Sequence, residues 1–271
     1  MESDNLKKVE NYQIKSLVKL DKLKNDYFLQ KVFNNLEKKK MLYIAMYNKK
    51  IKKRINININ DYKEYSELIE IEIKPVNIKN GKFINIKNEN KKYYHIYFND
   101  NKEEIKRNYI NKEEKINIIK IIIDNKIESF EGLFSNCGCI ESINFKKFYR
   151  NNIHNMSKMF YECSSVKELN LNNFNTNNVN NMISMFHGCT SLIELNLNNF
   201  NTNNVTKMNH MFFRCLSLKE LNINIFNNNN VNDMCCMFSG CSSLKELNLN
   251  NFNTNNVNDM SYMFYAMYVH H

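Results

Sequence analysis

The sequence predicts an α/β fold, a solenoid over residues 127–271 in which every repeat carries one helix and one short parallel strand. Three observations predict it: a repeat of 26 residues, two hydrophobic periodicities inside each repeat, and a unit too small to bury its own apolar face. Residues 1–126 lie outside the repeats. We expect them to form a helical and then strand-rich α+β segment that covers the first repeat.

The repeat is visible as a self-match of the second half of the chain. With a shift of 26 residues, Met156 falls on Met182 and Phe160 falls on Phe186. The equivalent positions are Met156, Met182, Met208, Met234 and Met260; Phe160, Phe186, Phe212, Phe238 and Phe264; Cys163, Cys189, Cys215 and Cys241; and Leu169, Leu195, Leu221 and Leu247. A degenerate first copy begins at Ile127, so the array has five full copies and a truncated sixth.

Each copy has a helical and a strand periodicity. In NNVTKMNHMFFRC, residues 203–215, the apolar residues are three or four positions apart, as on one face of an amphipathic helix. In KELNI, residues 219–223, the period changes to two, as in a short strand. The Asn-rich stretch NNFNTNNV, residues 198–205, suits a turn because Asn and Thr side chains bond to nearby backbone groups. Stacked copies would then form a continuous parallel sheet on one face.

The repeat units resemble those of a known family. MSKMFYECSSVKELNLNNFNTNNV, MISMFHGCTSLIELNLNNFNTNNV and MCCMFSGCSSLKELNLNNFNTNNV are similar to the leucine-rich repeats of the BspA-like surface-protein family, over residues 127–264. The resemblance implies a leucine-rich-repeat solenoid with a binding or adhesive role. Members of that family are typically exported, whereas residues 1–25 lack the continuous apolar segment of a secretory signal. We therefore expect a cytoplasmic location, with the cell surface or secretion as the alternative.

The segment before the repeats divides into a helical and a strand-rich part. Residues 25–55 have the periodicity of two helices, and their spacing resembles that of an F-box, the motif that docks a ubiquitin-ligase subunit, without its usual early Leu-Pro. Farther along, LIEIEIKPV, KFINIKN and YYHIYF alternate like strands. The dipeptide Asn80-Gly81 predicts a hairpin turn between the first two of them.

The sequence predicts no enzyme, and no catalytic, cofactor-binding or metal-binding residue. The cysteines in register from Cys137 to Cys241 predict buried small thiols, because ligands on successive repeats form a row rather than a tetrahedral cage. The adjacent Cys235 and Cys236 cannot both face the core, so we expect one of them to be exposed. The histidines of the repeats share no register and are predicted to be surface residues: His154, His187 and His210.

The outward side of the predicted strands is the candidate interaction face. Its members alternate with the inward leucines, and they are Asn144, Glu168, Asn170, Glu194, Asn196, Glu220, Asn222, Glu246 and Asn248. Two interpretations remain open. The asparagines could form amide ladders that satisfy one another, or the whole row could be a regular polar binding surface.

Charge and composition indicate which partners to expect. The net charge of +10 is concentrated in residues 1–126, which hold 29 of the 38 Lys and Arg but 18 of the 28 Asp and Glu. These lysines are scattered among Glu and Ile without a groove-reading motif, so we expect a protein partner and no nucleic acid. The longest apolar run, INIIKIIID, is too short for a transmembrane segment. The sixth copy runs into YAMYVHH with no strand after it, so we expect either self-association through an uncapped C-terminal coil or a longer array of which this sequence is a fragment.

Three functions fit these observations. The first is a non-enzymatic protein-binding scaffold that acts through the repeat surface. The alternatives are an exported BspA-like adhesin and an F-box-type adaptor that presents substrates to a ubiquitin ligase.

Overall fold

The fold is given by a computed structural model that describes residues 49–54, 67–77, 80–148, 150–250 and 252–267. The chain forms two compact units, Met1–Ser66 and Glu67–His271. In the first unit, the described residues form helix α1, Lys49–Arg54. The rest of the two helices predicted over residues 25–55, and with it most of the F-box-like segment, lies outside the described residues.

The second unit is built from short strands joined by turns. One 3-10 helix, Asn88–Tyr93, precedes the third strand. The strands are β1 (Ile69–Pro75), β2 (Gly81–Lys82), β3 (Tyr94–Phe98), β4 (Tyr109–Ile110), β5 (Ile119–Ile123), β6 (Ile140–Lys147), β7 (Glu168–Asn170), β8 (Glu194–Leu195) and β9 (Glu220–Leu221).

A five-stranded sheet connects the first strands to the repeats. Its order is β3-β5-β1-β6-β7, and all neighbours are antiparallel except β6 and β7, which are parallel. Every second residue of β1 is buried, including Ile69, Ile71 and Ile73, because one face of the strand packs on the core. The strands predicted from LIEIEIKPV and YYHIYF are thereby confirmed as β1 and β3.

The predicted hairpin at Asn80-Gly81 is wrong. Strand β2 pairs with β4, whereas β1 lies between β5 and β6. In KFINIKN, the adjacent Phe83 and Ile84 are both fully buried, which no regular strand with one buried face allows. The backbone N–H of Asn85 instead donates to the carbonyl of Leu133, at 2.7 Å.

The predicted α/β leucine-rich-repeat solenoid is also wrong. The described residues of the repeats contain no helix, and the segment expected to be helical, residues 205–215, is a run of turns. The continuous parallel sheet is absent too, because β7 ends the five-stranded sheet while β8 and β9 form a separate two-stranded sheet. The repeats are therefore mostly turns with two- or three-residue strands.

Left-handed residues explain why no helix forms. Two positions in each repeat, four residues apart, have φ between 54° and 76°. The first is occupied by Gly132, Lys158, Ser184, His210, Cys236 and Tyr262, and the second by Asn136, Glu162, Gly188, Arg214, Gly240 and Ala266. A right-handed helix cannot include such residues, because each reverses the local hand of the backbone. Successive four-residue turns still direct every third or fourth side chain inward, so the apolar spacing of a helix is preserved without the helix.

Backbone hydrogen bonds show the same arrangement. The N–H of Met156 donates to the carbonyl of Asn181 in the next repeat, at 3.0 Å, and that of Phe160 donates to Met185, at 2.9 Å. Between them, the N–H of Met159 closes a turn on the carbonyl of Met156, at 3.2 Å. Bonds inside a repeat thus alternate with bonds to the next repeat, whereas a helix would place all of them inside the repeat.

Apolar side chains at the repeated positions form the core, as predicted. Met208, Phe212 and Cys215 are fully buried, and Leu221 is only 5% exposed. The rings at one position form a column, here called the phenylalanine column: Phe134, Phe160, Phe186, Phe212, Phe238 and Phe264. Neighbouring rings are 5.5 to 5.9 Å apart and tilted by 4° to 8°. Every repeat therefore packs its aromatic ring on those of its neighbours.

The last copy is less well covered than the others. Met260 is 45% exposed and Phe264 is 47% exposed, whereas the equivalent Met234 and Phe238 are fully buried. Tyr262 and Tyr265 are exposed as well. This exposure is what the sequence predicts for an uncapped coil, and self-association through it stays a prediction.

Candidate functional site

The predicted interaction face lies on the short strands of the repeats. In β7, β8 and β9 the Leu side chain is buried while Glu, and in β7 also Asn, is exposed. Parallel pairing places Glu194 beside Glu220, and an isolated bridge places Glu246 next in the row. Of the nine predicted residues, Asn144 is half-buried and the other eight are exposed. The alternation of period two, which the sequence showed, is the reason for this placement.

The asparagines of the face serve the backbone of their own repeat. The Oδ1 atom of Asn170 accepts a hydrogen bond from the N–H of Asn172, at 3.1 Å, and Asn196 accepts one from Asn198, at 3.0 Å. The same contact recurs at Asn222 and at Asn248. Such a bond two residues along the chain forms an Asx turn, which ends the strand. The interpretation as an amide ladder is therefore wrong for these four residues.

Amide ladders between repeats occur elsewhere in the same turns. The Nδ2 atom of Asn201 donates to the Oδ1 atom of Asn177, at 3.1 Å. The next step repeats this contact, from Asn227 to Asn203 at 2.8 Å. A second row of Asn amides donates to backbone carbonyls of the preceding repeat, as from Asn204 to Asn177 at 2.8 Å. These asparagines hold neighbouring repeats together, so their role is structural.

The glutamates of the face form no ion pair with any described residue: Glu168, Glu194, Glu220 and Glu246. By contrast, Glu141, in the first repeat and outside the face, pairs with Lys74 at 3.0 Å and with Lys167 at 3.2 Å. Because parallel strands are about 4.8 Å apart, this row brings like charges close to one another. A cation presented by a partner would relieve that repulsion.

Two shallow depressions lie on the face. The first, about 540 Å³, extends over β7 and β8, and its lining includes Lys167, Glu194 and the exposed Ile193. The second, about 310 Å³, lies over β9 and has Lys245 and Glu246 in its lining. Ile193 occupies the repeat position at which the other copies carry Glu141, Lys167, Lys219 and Lys245. The face is thus regular in its acids and varied in the residue beside them.

The cysteines in register are structural, as predicted. Cys189 and Cys215 are fully buried, and the Sγ atom of Cys215 donates to the carbonyl of Phe186 at 3.1 Å. Burial raises the pKa of both thiols well above the ordinary value. Neither thiol is exposed to solvent, so this row forms part of the core.

The prediction that the histidines are surface residues holds for His154, which is exposed, and is wrong for His187 and His210, which are half-buried. His187 stacks between Tyr161, at 4.5 Å, and Phe213, at 4.7 Å, ring centre to ring centre. Burial lowers its pKa to about 4, and the positive charges of His210, Arg214 and Lys158 act in the same direction. His187 is therefore neutral at physiological pH and packs as an aromatic ring.

One group of residues was missed by the sequence analysis. His210, Cys235 and Cys236 each place a ligand atom within 4.8 Å of the other two. Both cysteines are half-buried, so neither lies fully in the core, and the prediction that one of them is exposed is wrong. The signal that could have revealed this group is its register, because His210 and Cys236 occupy the same repeat position.

Comparison with known proteins places the repeats in a family. No described helix has the length and the apolar character needed to cross a lipid bilayer. No curated protein and no solved structure matches the chain significantly. Residues 128–221 and residues 193–269 both match the family described as "Mycoplasma protein of unknown function, DUF285". This match lends no support to the F-box similarity of residues 25–55. Since the two matches together cover more than half of the sequence, the chain belongs to the DUF285 family.

Proposed function

We propose that this chain is a non-enzymatic binding protein whose glutamate row receives a basic segment of a protein partner. The observation that carries the proposal is the row of exposed carboxylates, from Glu168 to Glu246, that form no ion pair with any described residue. Complementary charge across an interface speeds association and selects among partners. Carboxylates already held near one another by the strands need little reorganisation when the partner binds.

The two depressions support a protein partner rather than a small substrate. Both are open and shallow, and neither is lined by His, Cys or Ser. Enclosed, mostly apolar cavities are typical of small-molecule sites. A row of acids on successive strands suits an extended basic segment, and Ile193 offers one apolar contact beside it.

The kinship with BspA-like proteins is part of this proposal. It is supported by the recurring Met, Phe, Cys and Leu positions, and it agrees with a binding role. The cytoplasmic location stays a prediction. An epitope-tagged full-length chain that resists added protease in intact cells would fit it, whereas digestion of that chain would fit the cell-surface alternative.

The proposal can be tested with a defined cationic probe. A fluorescein-labelled oligolysine peptide is titrated with the full chain, and its anisotropy is followed at low and at high salt. Because the whole chain carries a net charge of +10, long-range repulsion opposes binding and only a local acidic surface can retain the peptide. We expect binding that weakens as salt is added.

Matched variants assign the binding to the face. Replacing Glu194 and Glu220 with Gln removes two charges from the row, and we expect roughly three- to tenfold weaker binding. The control replaces the exposed Glu128 and Glu131, which lie outside the row, and changes the net charge equally. Equal affinities for the two double variants, or no binding by the unaltered chain, would contradict the proposal.

A further inference from the structure

A group of three metal-ligating side chains lies apart from the interaction face. It consists of His210, Cys235 and Cys236, all half-buried, with one ligand atom from each within 4.8 Å of the others. The two Sγ atoms are 3.4 Å apart. The hydroxyl of Ser261 donates to the Sγ atom of Cys235 at 3.2 Å, so polar atoms surround the thiols.

The backbone explains why two adjacent thiols converge. In an extended chain, successive side chains point to opposite sides. Cys236 has a φ of 55°, which interrupts this alternation and allows its side chain to approach that of Cys235. His210, with a φ of 58°, occupies the same position one repeat earlier, and its N–H donates to the carbonyl of Cys235 at 2.9 Å. The group is therefore fixed where two neighbouring repeats bond to each other.

The packing of the repeat does not require these two thiols. The core cysteine of this repeat is Cys241, which is fully buried. At the position of Cys235, the other copies carry residues of varied chemistry, namely Glu131, Ser157, Ile183, Asn209 and Ser261. In the preceding repeat, the Oδ1 atom of Asn209 is buried without a hydrogen-bond partner among the described residues. This part of the array thus has more polar ligand atoms than its fold uses.

We propose that His210, Cys235 and Cys236 bind a thiophilic divalent cation of the zinc class, which joins the fourth repeat to the fifth. Thiolate and imidazole are the ligands that Zn²⁺ prefers. Tetrahedral coordination with Zn–S bonds of about 2.3 Å requires two sulfur atoms about 3.8 Å apart, so the observed spacing needs only a small adjustment. Binding releases the protons of the two thiols, and a water molecule completes the coordination.

The first test is a titration of the reduced full-length chain with Co²⁺, which reports on its own ligands. Tetrahedral Co²⁺ bound to thiolates has visible d–d bands and a sulfur-to-metal charge-transfer band in the near ultraviolet. We expect both at one equivalent, and we expect Zn²⁺ to displace the Co²⁺. A folded chain that develops no charge-transfer band would overturn the proposal.

Variants then identify the ligands. We expect Cys235→Ser, Cys236→Ser and His210→Asn each to weaken binding by about 100-fold or more. The matched control is His154→Asn, because His154 is also a histidine of the repeats but lies outside the group. Circular dichroism of every variant establishes that it is folded. Tight binding that survives both cysteine substitutions would refute the assignment.

Two further measurements distinguish a metal site from a disulfide between Cys235 and Cys236. Zn²⁺ should raise the melting temperature of the unaltered chain and of His154→Asn, but not that of Cys236→Ser, because a ligand that binds the folded state stabilises it. Mass spectrometry of chain isolated under reducing conditions should show both thiols free. A disulfide between Cys235 and Cys236 in that sample would overturn the proposal.

Discussion

The phenylalanine column offers the sharpest test of how the repeats stabilise one another. Phe212 is fully buried between Phe186 and Phe238, at ring distances of 5.5 and 5.6 Å. Phe264 occupies the same repeat position, but it is 47% exposed and touches only Phe238 in the column, at 5.9 Å. Replacing each by alanine removes the same atoms from two environments.

The structure sets the size of the expected difference. Phe212→Ala opens a cavity in the core, and such a change costs about 3 to 5 kcal/mol of unfolding free energy. It also removes two ring contacts, each worth about 0.5 to 1.5 kcal/mol, which are part of that cost. At Phe264, half of the side chain already meets water and no closed cavity remains, so we expect a loss below about 2 kcal/mol.

Urea unfolding followed by far-ultraviolet circular dichroism measures both losses. Tyrosine fluorescence is recorded on the same samples, because coincident transitions are needed before the curves give a free energy. Equal losses at the two positions, or a loss below about 1 kcal/mol at Phe212, would refute the reasoning from burial.

Three other predictions concern single positions. Lys158→Gly should raise the unfolding free energy by up to about 1 kcal/mol, because the φ of 55° at Lys158 strains any residue with a Cβ atom. The control, Lys207→Gly, lies outside the left-handed positions and should lower the unfolding free energy. Thr176→Val should cost about 1 to 3 kcal/mol in the same urea assay, because the Thr176 hydroxyl bonds to both the N–H and the carbonyl of Asn201; a neutral effect would count against this bond. Burial raises the pKa of Cys215 well above 9.0, so its stabilising effect is complete below pH 9 and declines as the pH rises and the unfolded thiol ionises. Unfolding free energy should therefore fall more steeply above pH 9 for the unaltered chain than for Cys215→Ala, and parallel profiles would contradict it.

The sequence predicted the inside and the outside of the repeats better than their secondary structure. Leu221 is buried and Glu220 is exposed because the inner positions recur with the repeat, whichever backbone carries them. The spacing of Met208, Met211 and Phe212 suggested a helix, although consecutive turns produce the same spacing. Three of the twelve left-handed positions in the repeats are glycines, but the others, such as Ser184 and His210, carry a side chain and therefore gave no signal.

The glutamate row could be predicted from the sequence, whereas the group of His210, Cys235 and Cys236 could not. The glutamates recur once per repeat, so a shift of the sequence on itself shows that they line up. His210 and Cys236 also share a register, but their chemistry differs and no other copy repeats it. The approach of Cys235 to Cys236 depends on one backbone angle at Cys236, which residue spacing does not encode.

Hydrogen bonds that pass from each repeat to the next have a consequence for copy number. Duplication or deletion of one whole unit recreates a junction in which every N–H still faces a carbonyl, as Phe160 faces Met185. An insertion of any other length inside the array would leave these donors without acceptors. The segment LNLNNFNTNN is identical in three copies, as expected where units have been duplicated whole. Arrays of this kind can therefore gain or lose whole repeats during evolution while the packing between neighbouring repeats stays the same.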